Sequence, residues 1–349
     1  MNYQKTCIEV LIPTYNRAPL LARALESVRC QTHSNLKISV IDNASTDNTN
    51  AAVTEFMKQD PRINYIRHDQ NIGMLGNINY MFSIVTEEFF CVLTDDDYYA
   101  ADFLEQSLGV LNANEELSFV ALKSVFVDDK YYAAKNSFHV CEDKLVNIYS
   151  GLESFKHMMA ANFPLSLISV LYKKPLAEVY LENTFHKDVG ADINFFLICS
   201  ARYTWATLNS IGAFVWVHDD SYSVSKNVVN WNHSVIMNLR LVNIIDDTSI
   251  AHEIRVYAKQ QLINSINSNP VWYFFRTVLR KIVLGVHKGE ASNFCEKDIV
   301  EFSYAKKRVL TGILRIINDT QILRYCIRIL LHFRRTLIGL KNALRNQEL

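Results

Sequence analysis

Cys7-Ile8-Glu9-Val10-Leu11-Ile12-Pro13 is an apolar run closed by a proline, and Thr14-Tyr15-Asn16-Arg17 follows it at once. Such a run reads as a strand buried on both faces, ended by the proline. Residues 20–31 then repeat apolar side chains at helical spacing, with Leu20, Leu21, Ala24, Leu25 and Val28 on one face. Residues 36–41 are a second buried strand, and Asp42-Asn43-Ala44-Ser45-Thr46-Asp47 is a polar turn into a helix over 49–59. A short strand follows at 63–67, and a glycine-containing segment at 71–77 opens a helix reaching about Val85. A strand over 88–93 runs straight into Thr94-Asp95-Asp96-Asp97.

Strands and helices alternating at this spacing predict an α/β fold, a mostly parallel sheet with helices on both faces. Sheets of this kind take their ligands outside the carboxyl ends of the strands, where strand order reverses. The polar clusters fall at those ends: residues 14–17 after the first strand, Asp42 after the second, and Asp95 to Asp97 after the fourth. Their shared placement makes them one candidate site.

Beyond about Leu117 the pattern loosens. Residues 119–127, 165–172 and 213–217 read as strands and residues 193–201 as a helix. From about Trp231 the pattern is nearly all helical, broken at Asn269-Pro270. A polar stretch between Ser221 and Trp231 marks the expected boundary, giving a domain over 1–223 and a helical C-terminal region over 224–349.

The 349 residues carry 36 Lys plus Arg and 36 Asp plus Glu, so total charge excludes no partner class. The distribution is uneven: from Pro270 onward there are 15 basic and 6 acidic residues, a balance of +9, which leaves −9 on the first 269. An acidic body and a basic tail suggest separate jobs. The 7 cysteines show no CxxC pair or zinc spacing and read as free thiols in a reducing compartment. No basic-then-apolar leader and no uncharged apolar run of spanning length is present, so a cytoplasmic location is expected.

Three adjacent carboxylates repel one another unless something compensates. A solvated acidic turn or a helix cap would tolerate them. At the end of an apolar strand, with Asp42 at the end of another, a divalent cation bridging a diphosphate is the stronger reading. The ordered set Pro13-Thr14-Tyr15-Asn16-Arg17, Asp42-Asn43-Ala44-Ser45-Thr46-Asp47, Asn71-Ile72-Gly73 and the aspartate triplet resembles the family 2 glycosyltransferases, over roughly residues 8–223. The bacterial O-antigen and capsular polysaccharide enzymes are the members it looks most like.

The resemblance implies a GT-A fold, a nucleotide-sugar donor (a UDP-, GDP-, dTDP- or CDP-sugar), Mn2+ or Mg2+, and inversion at the anomeric carbon. Pro13, Thr14, Tyr15 and Arg17 would then line the nucleotide pocket, Asp42 would contact base or ribose, and Asn71, Gly73 and Asn77 would lie near the nucleotide. Thr94 stands where many members carry the first aspartate, which leaves open which two of the three carboxylates serve the metal or ribose. Asp96 is central in either register; Asp95 is assigned to the nucleotide, and Asp96 and Asp97 to the metal. His218, after an apolar strand, resembles a histidine that binds metal or diphosphate in some GT-A enzymes. The family places its general base before a helix, often as Glu-Asp. Gly190-Ala191-Asp192-Ile193 resembles that element with Ala191 in place of the Glu, which makes Asp192 the catalytic base and Asp188 the competitor.

Trp205, Trp216 and Phe214 read as core. Residues 324–341 mix Ile, Leu and Phe with Arg and Lys, a composition suited to a helix on an anionic membrane surface or to one packed on the protein with its basic face in water. No nucleic-acid-binding module is recognisable. The expected activity is sugar transfer to a lipid-linked or oligosaccharide acceptor in surface polysaccharide synthesis. The alternative is a non-catalytic nucleotide-sugar sensor or scaffold, which the alanine at 191 would favour. A processive synthase is disfavoured by the missing spans and the missing Gln-x-x-Arg-Trp segment.

Overall fold

The computed structural model describes residues 5–128, 144–160, 165–182, 191–218, 241, 244–245 and 247–268. Its strands are β1 (Ile8–Thr14), β2 (Leu36–Asp42), β3 (Ile63–Arg67), β4 (Phe89–Val92), β5 (Tyr98–Tyr99), β6 (Leu117–Val127), β7 (Val146–Tyr149), β8 (Val170–Lys173) and β9 (Thr204–Trp216). The helices are α1 (Ala18–Arg29), α2 (Thr49–Gln59), α3 (Met74–Ser83), α4 (Phe103–Ala113), α5 (Gly151–Met159), α6 (Pro175–Glu182), α7 (Ala191–Arg202) and α8 (His252–Ser268). The strands form one sheet in the order β3-β2-β1-β4-β8-β6-β9-β5, with β7 also on β9. β3, β2, β1, β4, β6 and β9 run one way, and β8, β5 and β7 run against them.

Alternation along the strands feeds two apolar layers. Ile8, Val10 and Ile12 of β1 join Leu21, Ala24, Leu25 and Val28 of α1, Val53 of α2 and Phe103, Leu104, Leu108 and Leu111 of α4 in one core. Each fully buried aliphatic side chain there stabilises the fold by roughly 1.5–3 kcal/mol. A second layer is aromatic. Phe82 of α3 stacks on Tyr180 of α6 at 3.8 Å, Phe90 on Tyr172 at 5.1 Å, and Phe119 on Trp205 at 5.2 Å, with Phe195 and Phe196 of α7 among them. Trp205 is fully buried, as read from sequence, whereas Phe214 and Trp216, also read as core, are only half-buried. The helices therefore cover both faces of a mostly parallel sheet.

Glu9 is buried at the amino ends of the strands. Lys37 Nζ lies 2.8 Å from Oε1, and the Thr86 backbone N–H donates to Oε2. Gly212 lets β9 pass α4 closely: a Cβ there would lie 2.8 Å from Leu122 Cβ and 2.9 Å from Phe103 Cδ2.

Residues 165–172 are not one strand. A 3-10 turn, Leu167–Ser169, closed by Ser169 N–H donating to the Ser166 carbonyl at 3.2 Å, precedes the short β8. The strand expected at 213–217 is the end of β9, which begins at Thr204. Of the helical pattern after Trp231, the described part is chiefly α8. The chain divides into a unit of residues 1–226 with 249–254 and a unit of 227–248 with 255–349. The breaker at 269–270 and the basic stretch at 324–341 lie outside the described residues, and so does Asp188. Among the described residues no helix is long and apolar enough to cross a membrane, and Cys7, Cys30, Cys91 and Cys199 are free.

Candidate active site

Strand order reverses between β1 and β4, which neighbour each other while β2 and β3 lie on the far side of β1. Thr14 ends β1 and Asp95 lies just past β4, so these two residues meet at the switch point. Thr14 Oγ1 donates to Asp95 Oδ2 at 2.8 Å.

The loops after β1 and β2 are tied into one body. Asn16 takes a left-handed φ of 54°, which asparagine tolerates. Its Oδ1 accepts the Thr46 N–H at 2.7 Å, and its own N–H donates to Ser45 Oγ at 2.8 Å. Asp47 accepts the Ala18 N–H of α1 at 3.2 Å and the Thr49 N–H of α2 at 3.0 Å, so one carboxylate serves two helix N-termini. Asp42 is fully buried beneath this knot. Its Oδ1 accepts the Ser45 N–H at 2.9 Å and hydroxyl at 2.5 Å, and its Oδ2 accepts the Tyr65 hydroxyl with Arg67 Nε 3.6 Å away.

The segment after β3 leans on the same knot. Asn43 Nδ2 donates to Asn71 Oδ1 at 2.9 Å, and Asn43 Oδ1 accepts the Ile72 N–H at 2.8 Å. Gly73 adopts φ 80°, a conformation that favours glycine, and starts α3. Asn77, buried, donates from Nδ2 to the Ile41 carbonyl at 3.0 Å.

The three aspartates point three ways. Asp95 receives Thr14 and lies 3.2 Å from Arg17 Nη1. Burial pushes its carboxyl up to about 6, against the pull of the Thr14 hydroxyl and the Arg17 charge. Asp96 Oδ2 receives Arg17 Nη1 at 2.7 Å and faces His218 Nε2 at 3.2 Å. Asp97 is turned inward: its Oδ2 accepts the Thr94 hydroxyl and its Oδ1 accepts the Trp216 N–H at 2.9 Å. Burial first, and then the Asp96 charge, push Asp97 up to about 7.

A pocket of about 480 Å³ opens over these elements. Of the residues singled out from sequence, Pro13, Thr14, Tyr15, Arg17, Asn71, Gly73, Asn77, Asp95 and Asp96 line it. Asn43, Met74, Ile78 and Thr94 line it as well. Asp42, Asp97, His218 and Asp192 are not among its lining residues: Asp42, expected to contact base or ribose, is buried on Ser45 and Tyr65, Asp97, expected to bind metal, is turned onto Thr94 and Trp216, and His218 stands beside Asp96. Asp192 is half-buried in the first turn of α7. Burial, and after it the field of Asp192, raise the Tyr180 phenol to about 12. Arg23 and Tyr65 went unmarked in the sequence because neither sits in a motif; their roles come from partners distant along the chain.

A carboxylate oxygen and an imidazole nitrogen side by side, as in Asp96 and His218, are groups a divalent cation can take, and the nitrogen suits Mn2+ better than Mg2+, which prefers oxygen ligands alone. Among the described residues no group of three or more His, Cys, Asp or Glu side chains could hold a metal. Any cation held there would need its remaining ligands from a bound molecule or from water.

Residues 9–165 match the family described as Glycosyl transferase family 2. Residues 9–165 are thus similar to a family 2 glycosyltransferase domain. The site described above falls largely inside that domain, with His218 and Asp192 beyond the matched stretch. One relative is a GalNAc(5)-diNAcBac-PP-undecaprenol beta-1,3-glucosyltransferase of Campylobacter jejuni, 34% identical over 116 residues, 32% of this chain and 36% of that protein. Of curated glycosyltransferases from Rickettsia felis, Nostoc sp. and Rickettsia conorii that it matches, the chain spans 22%, 34% and 31% of the length. Two solved structures share the fold. S. aureus TarS 1–349 in complex with UDP-GlcNAc aligns with TM-score 0.56 and 17% identity, covering 80% of this chain and 76% of that one. The mannosyltransferase PcManGT of Pyrobaculum calidifontis, in complex with GDP-Man and Mn2+, aligns with TM-score 0.52 and 18% identity, covering 91% and 82%. The GT-A expectation for the fold is thereby met.

Proposed function

We propose that this chain is an inverting glycosyltransferase that moves a sugar from a nucleotide-sugar donor to an acceptor hydroxyl, in the assembly of a bacterial surface polysaccharide. The supporting observation is the pocket at the β1/β4 switch point, where Arg17, Asp95 and Asp96 converge on a cleft of about 480 Å³ walled by the asparagines of the two neighbouring loops. TarS and PcManGT, which share the fold, were solved with UDP-GlcNAc and with GDP-Man and Mn2+. The proposed catalytic domain spans 1–223, with a helical region over 224–349.

In this reading the nucleotide lies against residues 13–17, Asn43 and Asn71. Tyr15, 42% exposed at the rim, offers a ring face, and the asparagine amides offer donors and acceptors for base and ribose edges. Asp42 acts through the knot, holding the Ser45 turn in register. Asp96 and His218 would hold Mn2+ or Mg2+. Such a cation supplies charge stabilisation for the departing diphosphate. Arg17 Nη1, already between two carboxylates, can turn its remaining donors to phosphate oxygens. Asp192 takes the proton from the acceptor hydroxyl as it attacks the anomeric carbon. A lipid-linked acceptor fits the role of the Campylobacter relative and the basic tail, which we assign to peripheral contact with the inner face of the cytoplasmic membrane. Sugar release from a donor panel with Mn2+ or Mg2+ tests the proposal: a transferase turns donor over, whereas a sensor binds without turnover.

A further inference from the structure

We infer that Arg23 and Trp216 form a clasp that sets His218 against Asp96, so that Arg23 is a positioning residue for the cation-binding pair. The inference rests on the assignment of that pair made above. His218 lies two residues beyond the end of β9, where few ladder bonds hold the chain: Val217 N–H donates to the Val127 carbonyl at 2.8 Å. Another tie comes from the aspartate turn itself, since Asp97 Oδ1 accepts the Trp216 N–H at 2.9 Å. A further tie comes from α1. The Arg23 guanidinium lies 3.7 Å from the centroid of the Trp216 ring and 5.1 Å from that of Tyr98. Its Nη2 donates to the backbone carbonyl of Asp96.

One planar cation therefore touches the backbone of Asp96 with its edge and the ring of Trp216 with its face. These two residues flank the His218–Asp96 contact, whose Nε2 to Oδ2 distance is 3.2 Å. Tyr98, stacked on Phe214 at 4.9 Å, closes the clasp on the β9 side. A guanidinium can donate in its plane while stacking on its face, and an ammonium cannot do both with one geometry. Arg23 itself is not among the pocket-lining residues, so its effect on a bound cation runs through the two residues it holds.

The test is a double-mutant cycle on cation binding, with Mn2+ affinity read by electron paramagnetic resonance with Mn2+ alone and with Mn2+ plus UDP or GDP. Arg23→Gln and Arg23→Lys should each weaken Mn2+ binding by about tenfold, Trp216→Ala should do the same, and Trp216→Phe should stay within about threefold of the parent protein. Melting temperature, followed in parallel, identifies any variant that has lost the fold. The double variant Arg23→Gln with His218→Ala should lose less than the product of the two single losses, because the clasp acts on the same His218–Asp96 pair. Unchanged affinity in Arg23→Gln, or losses that multiply in the double variant, would overturn the inference while leaving the cation pair in place. If His218→Ala bound Mn2+ as the parent protein does, or the parent bound none, the assignment of the pair would fail and the inference with it.

Discussion

Arg17 Nη1 stands 2.7 Å from Asp96 Oδ2 and 3.2 Å from Asp95 Oδ1, so one guanidinium bridges the two carboxylates at the pocket and offsets part of their charge. Arg17 begins α1 as its N-cap, and the β1–α1 loop is held by Asn16 and Asp47. The cation is thus delivered to the aspartates by the same knot that shapes the nucleotide wall. A divalent ion on Asp96 must share this oxygen with Arg17 or displace it. Arg17→Gln should therefore bind Mn2+ alone more tightly than the parent protein, by roughly three- to tenfold, since about 1 kcal/mol of screened like-charge repulsion is removed. Weaker Mn2+ binding in Arg17→Gln would show that Arg17 organises the carboxylates instead of competing for them.

Asp97 predicts a pH effect on stability. Its carboxyl is raised from the ordinary aspartate range to about 7 in the folded protein, chiefly by burial. A group raised on folding contributes stability that is full below its unfolded value and is lost as pH climbs through the folded value. In metal-free protein this loss should fall between about pH 4 and 7. Asp97→Asn cannot ionise and can still accept the Trp216 N–H, so its melting temperature relative to the parent should rise by several degrees from pH 5 to pH 8, on the order of 2 kcal/mol. A pH-independent difference between the two proteins would remove Asp97 as the titrating group.

Much of the first half was legible because local signals agree there. α2 and β3 fall at the residues where the polar turn, helical spacing and short aliphatic run place them, and β1 and β2 within a residue at either end. β5 and β7 carry no such signal. β5 is two residues long, and β7 is an antiparallel ribbon whose Val146 and Ile148 remain exposed, so neither shows a buried apolar run. The first half of β9 escaped because Trp205, Thr207 and Asn209 interrupt its aliphatic pattern, and its burial between β6 and β7 is a long-range fact. At the site, the residues that adjoin strand ends could be found from sequence. Arg23 could not, because its partner Trp216 is brought to it only by the sheet.

Asp192→Asn should lower turnover by about a hundredfold or more with donor affinity near that of the parent, since loss of a general base acts on the transition state. Steady-state kinetics beside donor binding measures both. Normal turnover in Asp192→Asn together with a loss in Asp188→Asn would move the base to Asp188.

The tail prediction stands on sequence alone. The balance of +9 after Pro270, and the interleaving of Arg with Ile, Leu and Phe over 324–341, should give reversible binding to anionic vesicles. Each cation near such a surface contributes about 1 kcal/mol, screened beyond a Debye length. Sedimentation with phosphatidylserine vesicles should weaken as salt rises and should drop when the residues after Asp319 are removed. Equal sedimentation of full-length and truncated protein would assign the basic stretch to the protein's own surface.

The most direct measurement is sugar release from a panel of UDP-, GDP-, dTDP- and CDP-sugars by the full chain, with Mn2+, with Mg2+ and with EDTA, beside Asp96→Ala. The account predicts turnover of at least one donor that needs the divalent ion and is abolished in Asp96→Ala, while the variant keeps the parent's melting temperature in EDTA to within a few degrees. Full activity of Asp96→Ala, or turnover undiminished in EDTA, would contradict it.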